Sequence, residues 1–193
     1  MKAAGLCGVI TPIIVITLIA LAIFYSPWFG WTKNALSDLG VQGIAAVLFN
    51  SGLITGGILT GIFAVGLREA LRNRALSHVG SLIFILDAVA LCAIGVFPET
   101  VGRIHFYVSV AFFVLFPLSA FFIGASMLRF SSERKLGLFT VLVGIVAAVV
   151  WMFPWEAVAI PEIVAGLAVS LWSIVFGTKL LRLGYAKKHG KKG

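Results

Sequence analysis

The chain has 193 residues, of which 61% are hydrophobic and only 11% charged, and its mean hydropathy is +1.10. A soluble domain keeps roughly a quarter of its residues charged, so this composition excludes an ordinary soluble protein and predicts a surface in contact with hydrocarbon. The net charge of +8 comes from basic residues at the ends of apolar stretches and in the C-terminal tail. At those positions we expect them to contact membrane lipids. The sequence has no basic surface interleaved with aromatics, so nothing in it indicates a nucleic-acid partner.

Apolar stretches long enough to cross a bilayer occur along the whole chain. A spanning helix needs about 20 apolar residues, and backbone in hydrocarbon has to satisfy its own hydrogen bonds. The stretches cover residues 4–25, 41–67, 75–97, 104–128, 136–155 and 160–182. We therefore predict an all-α, six-transmembrane-helix bundle that forms one domain over residues 1–184, followed by a basic cytoplasmic tail over residues 185–193.

Basic residues mark alternate gaps between these stretches. The second gap, the fourth gap and the two termini carry most of them, whereas the first and third gaps hold only Lys33 and Arg103. By the positive-inside rule, both termini are cytoplasmic (N-in/C-in) and the membrane is the cell membrane. Lys2 and the apolar run after it also allow a cleaved signal peptide, but that run is longer than a usual signal core.

Polar side chains gather in the gaps on the predicted outer side. His105 can act as a base near neutral pH, with Asp38 or Glu99 to orient it and Ser37 as a nucleophile. Arg103 of the third gap can hold an anionic group. Asn34, which lies in the first gap with Ser37 and Asp38, is a further candidate ligand-binding residue. The G-x-S-x-G signature of serine hydrolases is absent, and no cysteine and histidine spacing indicates a metal site.

Helix capping is an alternative explanation for the outer acids. Ser37 and Asp38 precede the second helix, Glu99 precedes the fourth, and Glu162 begins the sixth. Acidic and hydroxyl side chains stabilise helix N-termini at such positions. Capping and a functional site are compatible, so both interpretations remain open at this point.

Asp87 lies inside the third helix, where an ionised group is costly. Counting from the helix ends puts Asn50 of the second helix at a similar depth. This pair indicates either a proton- or ion-linked polar centre that binds a ligand, or a neutral Asp87 that links two helices through a hydrogen bond. In the second helix, glycines at positions 52, 56, 57 and 61 allow close helix contact, which favours packing within the bundle over homodimerisation.

Several segments resemble a widespread archaeal and bacterial membrane family that is catalogued as domain of unknown function 998. They are W-T-K-N-A-L-S-D-L-G at 31–40, F-N-S-G-L-I at 49–54 and G-V-F-P-E at 95–99, with His105 nearby. The resemblance covers nearly all six helices. It implies a six-helix integral membrane protein but brings no established reaction or cofactor. The recurring positions of the family match Ser37, Asp38, Asn50, Pro98, Glu99 and His105.

The leading hypothesis is a multi-pass membrane protein whose outward-facing polar pocket binds, or chemically modifies, a lipid or another amphipathic small molecule. A second hypothesis is a small transporter or a proton or ion channel that uses Asp87 and Asn50. A third is a membrane scaffold without a small-molecule site, in which the outer acids only cap helices.

Overall fold

The structure is a computed structural model that describes residues 1–189, with side chains as far as residue 184. Within these residues the fold is all helical. The six long helices are α1 Lys2–Phe24, α2 Gly43–Leu71, α3 Ala75–Val96, α4 Arg103–Leu128, α5 Arg134–Val149 and α6 Ala159–His189. Of the predicted basic tail, residues 185–189 continue α6, and residues 190–193 lie outside the described part.

Short 3₁₀ turns interrupt four of the connections. Two of them recur below: the first 3₁₀ turn, Leu36–Gly40, and the second 3₁₀ turn, Glu99–Val101. The others, Ser131–Glu133 and Val150–Met152, flank α5 and extend its apolar span to 22 residues. All six helical segments are long and apolar enough to cross a membrane. The predicted six-helix fold is confirmed, and the chain is a multi-pass membrane protein.

Consecutive helices pack side by side, and α1 closes the ring against α6. The pairing of α5 with α6 is the least extensive of these contacts. One end of the bundle carries Asp38, Glu99, Glu156 and Glu162, and we call it the acidic end. The opposite end, with Met1 and the described end of α6, is called the basic end.

Aromatic side chains fill the bundle on its basic-end half. Phe63, Phe84 and Trp172 are at most 1% exposed. The Phe84 ring centroid lies 5.8 Å from that of Phe63 and 5.0 Å from that of Trp172. These edge-to-face rings belong to the buried hydrophobic core of this part of the bundle.

Glycines on α2 allow its neighbours to approach closely. A Cβ on Gly57 would lie 2.5 Å from the backbone nitrogen of Cys92 on α3, and one on Gly56 would lie 2.5 Å from Val15 on α1. Nothing lies within 4 Å of the corresponding position at Gly61. The first two glycines therefore serve packing within the bundle, as the sequence favoured, while Gly61 faces outward.

At the basic end an ion-pair network joins three helices. Glu133 pairs with Arg74, just before α3, and with the Lys179 amine of α6 at 3.1 Å. The Arg74 guanidinium also lies 4.0 Å from the ring centroid of Phe130. The network fixes the start of α5 between α3 and α6.

Candidate functional site at the acidic end

The first 3₁₀ turn is held by its own polar side chains. One carboxylate oxygen of Asp38 accepts hydrogen bonds from the Ala35 backbone N–H at 3.0 Å and from the Asn34 side-chain amide at 2.9 Å. The Asn34 side-chain oxygen accepts the Gly30 N–H at 3.0 Å. Both the oxygen and the nitrogen of the Asn34 amide are thus hydrogen-bonded within the loop. Asn34 therefore stabilises the loop that carries the site, whereas the sequence indicated a ligand contact.

Glu162 binds the start of α6 to this turn. Its carboxylate accepts the Leu36 N–H at 2.5 Å, across 126 positions of the chain. The backbone N–H of Ala159 also donates to the carbonyl of Asn34 at 3.1 Å. Glu162 therefore makes a tertiary contact as well as lying in the first turn of its own helix. Sequence reasoning did not assign it to the site, since capping explained its position.

Asn50 anchors the same turn from α2. Its side-chain amide donates to the Gly40 carbonyl at 2.9 Å, and no hydrogen bond joins it to Asp87. A Cβ on Gly95 would lie 2.6 Å from the Asn50 carbonyl oxygen, so Asn50 is level with Gly95, which is eight residues, or about 12 Å, from Asp87 along α3. The prediction that Asn50 and Asp87 share one depth is therefore wrong.

The error has a physical cause in the stagger of the helix ends. α2 continues for seven residues beyond Asn50 towards the acidic end, whereas α3 ends one residue after Gly95. The predicted depths of Asn50 and Asp87 were distances from the ends of their helices, and they are comparable only if α2 and α3 end at the same height in the bundle. Asn50 consequently positions the first 3₁₀ turn and does not pair with the intramembrane acid.

His105 lies in the first turn of α4 and is 7% exposed. Its Nδ1 is 2.7 Å from the Phe97 carbonyl oxygen. Because a carbonyl only accepts, Nδ1 must carry the proton, which leaves the lone pair of the neutral ring on Nε2. The Ser109 hydroxyl, 3.3 Å away, donates to that atom. The group that orients His105 is thus a backbone carbonyl, where the sequence suggested Asp38 or Glu99.

Glu99 brings the remaining predicted groups together. Its carboxyl hydrogen-bonds the side chains of Asp38 and Ser37 and lies within electrostatic range of His105. Burial raises the pKa of Glu99, and the neighbouring Asp38 carboxyl raises it further, although Ser37 and His105 act in the opposite direction. A hydrogen bond between two carboxyls requires one shared proton. Glu99 is therefore suited to hold a proton that it can donate.

Arg103 does not join this group. It is the first residue of α4, it is exposed, and it makes no hydrogen bond or ion pair with another residue that the structure describes. Its predicted role as an anion clamp has no contact with the cluster to support it.

A lateral groove of about 830 Å³ begins at this cluster and runs along α4 beside α5 and α6. Its head is polar, with Ser37, Glu99, His105 and Glu162 in the lining. Its body is apolar and open at the side, where the exposed groove residues include Phe106, Val110, Val114 and Leu118. These residues belong to a helix long enough to cross the membrane, so the groove faces hydrocarbon.

A second cavity of about 110 Å³ leads from the same place into the bundle. Ser37, Ser109, Phe113 and Glu162 line both spaces. At its inner end lies Asp87, which is 0% exposed. Neither of its carboxyl oxygens has a hydrogen-bond partner among the described residues. We call this space the inner cavity.

Comparison with known proteins gives the family but no activity. The family model described as "Protein of unknown function (DUF998)" matches residues 9–179. Searches of curated proteins and of solved structures gave no match. The matched region runs from α1 to α6 and contains the acidic-end cluster, the groove and the inner cavity. The chain therefore belongs to the DUF998 family of membrane proteins.

Proposed function

We propose that the acidic-end site binds the polar head of a lipid-like amphipath whose chain lies in the lateral groove. The observation that carries this proposal is the continuity of a polar head with an apolar, side-open body in one groove. Ligand sites combine mostly apolar walls with a few polar groups that fix orientation. An amphipath already dissolved in the bilayer can enter such a groove sideways, without crossing water.

Acid–base chemistry on the bound head group is the second part of the proposal. The neutral ring of His105 offers its Nε2 lone pair, and burial together with the Asp38 carboxyl raises the pKa of Glu99, which favours a proton on that carboxyl. Hydrolysis of a head-group ester needs one group that takes a proton from water and another that gives a proton to the leaving oxygen. His105 is the proposed base and Glu99 the proposed acid. Ser37 hydrogen-bonds Glu99, which favours a positioning role over that of a nucleophile activated by histidine.

The basic residues support an outward direction for this site. The acidic end holds only Lys33 and Arg103, while the remaining basic residues lie at the basic end and in the tail. Under the positive-inside rule the acidic end faces away from the cytoplasm. The proposed ligand is then a lipid of the outer leaflet of the cell membrane.

Photo-crosslinking in nanodiscs tests the binding step. The probe is a phosphatidylcholine with a diazirine at the end of one acyl chain. Adducts mapped by mass spectrometry should concentrate on the groove face of α4. Val110→Trp fills the groove and should remove most of this labelling, whereas Val47→Trp is a matched change at an exposed position of α2. Labelling spread evenly around the bundle, or unchanged in Val110→Trp, would contradict the proposal.

The chemical step needs a separate measurement. Nanodiscs prepared from natural lipid extract should accumulate released fatty acid or head group, detected by mass spectrometry, with the wild-type protein. His105→Gln should abolish this release while leaving the photo-labelling intact. If labelling is specific but no lipid is cleaved by the wild-type protein, the site binds without catalysing hydrolysis.

Two other functions have weaker support. A transporter or channel through Asp87 needs a path to the basic end, yet below Asp87 the bundle is filled by Phe63, Phe84 and Trp172. A scaffold without a ligand accounts for Asp38 as a cap but gives no reason for a groove with a polar head. We therefore favour lipid binding.

A further inference from the structure

Asp87 is a carboxyl without a counterpart at the closed end of the inner cavity. It is fully buried, it lines the cavity, and neither oxygen has a hydrogen-bond partner in the described part of the chain. A buried polar group without a partner costs free energy, and acids inside membrane proteins usually face a cavity or pair with another group. Asp87 therefore lies where a group that enters the cavity can pair with it.

The cavity around it offers hydroxyl groups, which can donate or accept, and apolar surface. Hydroxyls of Thr60 and Ser173 line the deep part, and Glu162 lines the mouth. No lysine, arginine or histidine is among the described lining residues. Most of the remaining wall is aliphatic or aromatic, with Val15 and Leu91 as examples. The two carboxyl groups thus lie at opposite ends of the cavity, and the space between them is mostly apolar.

The cavity is closed towards the basic end and open towards the acidic end. One turn below Asp87 on α3, Phe84 packs against Phe63 and Trp172 and closes the route to the basic end. Towards the acidic end the cavity joins the groove at Ser37 and Glu162. A ligand can therefore enter from the acidic end and stop at Asp87.

We propose that the inner cavity is a binding site for an amphipathic ammonium, with its cationic head at Asp87 and its hydrocarbon body against the apolar walls. A bare metal ion would lose its hydration shell with few oxygens to replace it. An alkylammonium supplies the missing countercharge and also fills the apolar volume. This site is independent of the proposed lipid chemistry, because it uses Asp87 and not His105 or Glu99.

Calorimetric titration of the protein in nanodiscs, with empty nanodiscs as the blank, tests the site. The probes are n-octylammonium and n-octanol, which share a chain length and differ in head charge. Octylammonium should bind the wild-type protein at least about tenfold more tightly than octanol, a ratio equal to about 1.4 kcal/mol. Asp87→Asn should abolish this preference. Glu156→Gln removes an exposed acid at the same end of the bundle and should leave the preference intact.

A cavity-filling variant keeps the test decisive if Asp87→Asn does not fold. No atom lies within 4 Å of a Cβ placed on Gly166, which lines the cavity, so Gly166→Leu adds bulk into open space. It should weaken the binding of both probes at least about tenfold while Asp87 stays in place. Equal affinity of the two probes for the wild-type protein would mean that a proton alone satisfies Asp87. That result, or unchanged preference in Asp87→Asn, would overturn the proposal.

Discussion

The link between Asn50 and Gly40 can be tested by a double-mutant cycle, because the two residues meet through a hydrogen bond and through a close contact. Asn50→Ala leaves the Gly40 carbonyl without the donor now 2.9 Å away and should cost about 1–3 kcal/mol of unfolding free energy. A Cβ on Gly40 would lie 2.6 Å from the Asn50 side-chain oxygen. Gly40→Ala therefore has to displace that amide and should also cost about 1–3 kcal/mol.

The two effects should not add. Once Asn50 is alanine, the closest remaining contact of the new Cβ is Phe49 Cδ1 at 3.1 Å, which a small ring movement relieves. Gly40→Ala should then cost at least about 1 kcal/mol less than in the wild-type background, within the usual range of coupling for residues in contact. Reversible unfolding in detergent by added SDS, followed by the fluorescence of the five tryptophans, measures each corner of the cycle.

Ser51→Ala is the control for this cycle, since the Ser51 hydroxyl bonds only the Leu48 carbonyl of its own helix at an exposed position. Its effect should stay within about 0.5 kcal/mol. Additivity of the Gly40 and Asn50 changes within about 0.5 kcal/mol would refute the positioning role of Asn50. Asn50 would then again be available as a direct ligand-binding group.

Three further predictions concern packing, pH and orientation. Gly57→Ala should lower the free energy of unfolding by about 1–3 kcal/mol because its Cβ meets the α3 backbone. Gly61→Ala should raise that free energy by up to about 1 kcal/mol through helix propensity. The same unfolding by SDS compares the two variants. Since the pKa of Glu99 is raised in the folded state, its contribution to stability is fully present below the usual glutamate value. That contribution is lost as the pH rises through the raised pKa, so Glu99→Gln should make the free energy of unfolding less dependent on pH in this range. The same pH dependence in the variant and the wild-type protein would contradict the argument that burial raises the pKa of Glu99. In a cysteine-free background, Lys33→Cys should react with an impermeant maleimide on intact cells and Lys135→Cys only after permeabilisation; the reverse pattern would invert the proposed orientation.

The helices could be predicted because membrane-spanning length and apolarity are local properties of a sequence. The differences at their ends have local causes as well. α2 runs to Leu71, beyond the predicted end at 67, because a helix does not stop where its residues become polar. α5 ends at Val149 and its last turn closes by Met152, short of the predicted 155. Phe153 is extended at φ −85° and ψ 147°, as expected before Pro154.

The partners within the site could not be read from the sequence in the same way. His105 is oriented by the carbonyl of Phe97, and every residue carries such a carbonyl, so no side-chain pattern marks it. The bond from Leu36 to Glu162 spans the chain and depends on how α6 is placed against the first loop. The Asn50 prediction failed for the related reason that the stagger of helix ends is a tertiary property. Residue types indicated that Ser37, Asp38, Glu99 and His105 gather, but not through which atoms. They did not indicate that Arg103 stays outside this cluster or that Asn50 bonds Gly40.

Capping requires each acidic side chain to accept hydrogen bonds only from its own helix or loop. The acidic side chains at this end also contact one another, which capping does not require. Asp38 accepts two donors of its own loop, as a cap does. Glu99 instead turns its carboxyl towards Asp38 and Ser37, and the carboxyl groups of Asp38 and Glu99 both lie within electrostatic range of Glu162. Gathering three acids raises the free energy of the folded state through mutual repulsion and burial, a cost that separate caps would avoid. Local features that lower stability without a structural gain are expected at functional sites. The position of this cluster at the head of a groove open to hydrocarbon therefore favours a ligand-binding role over capping alone.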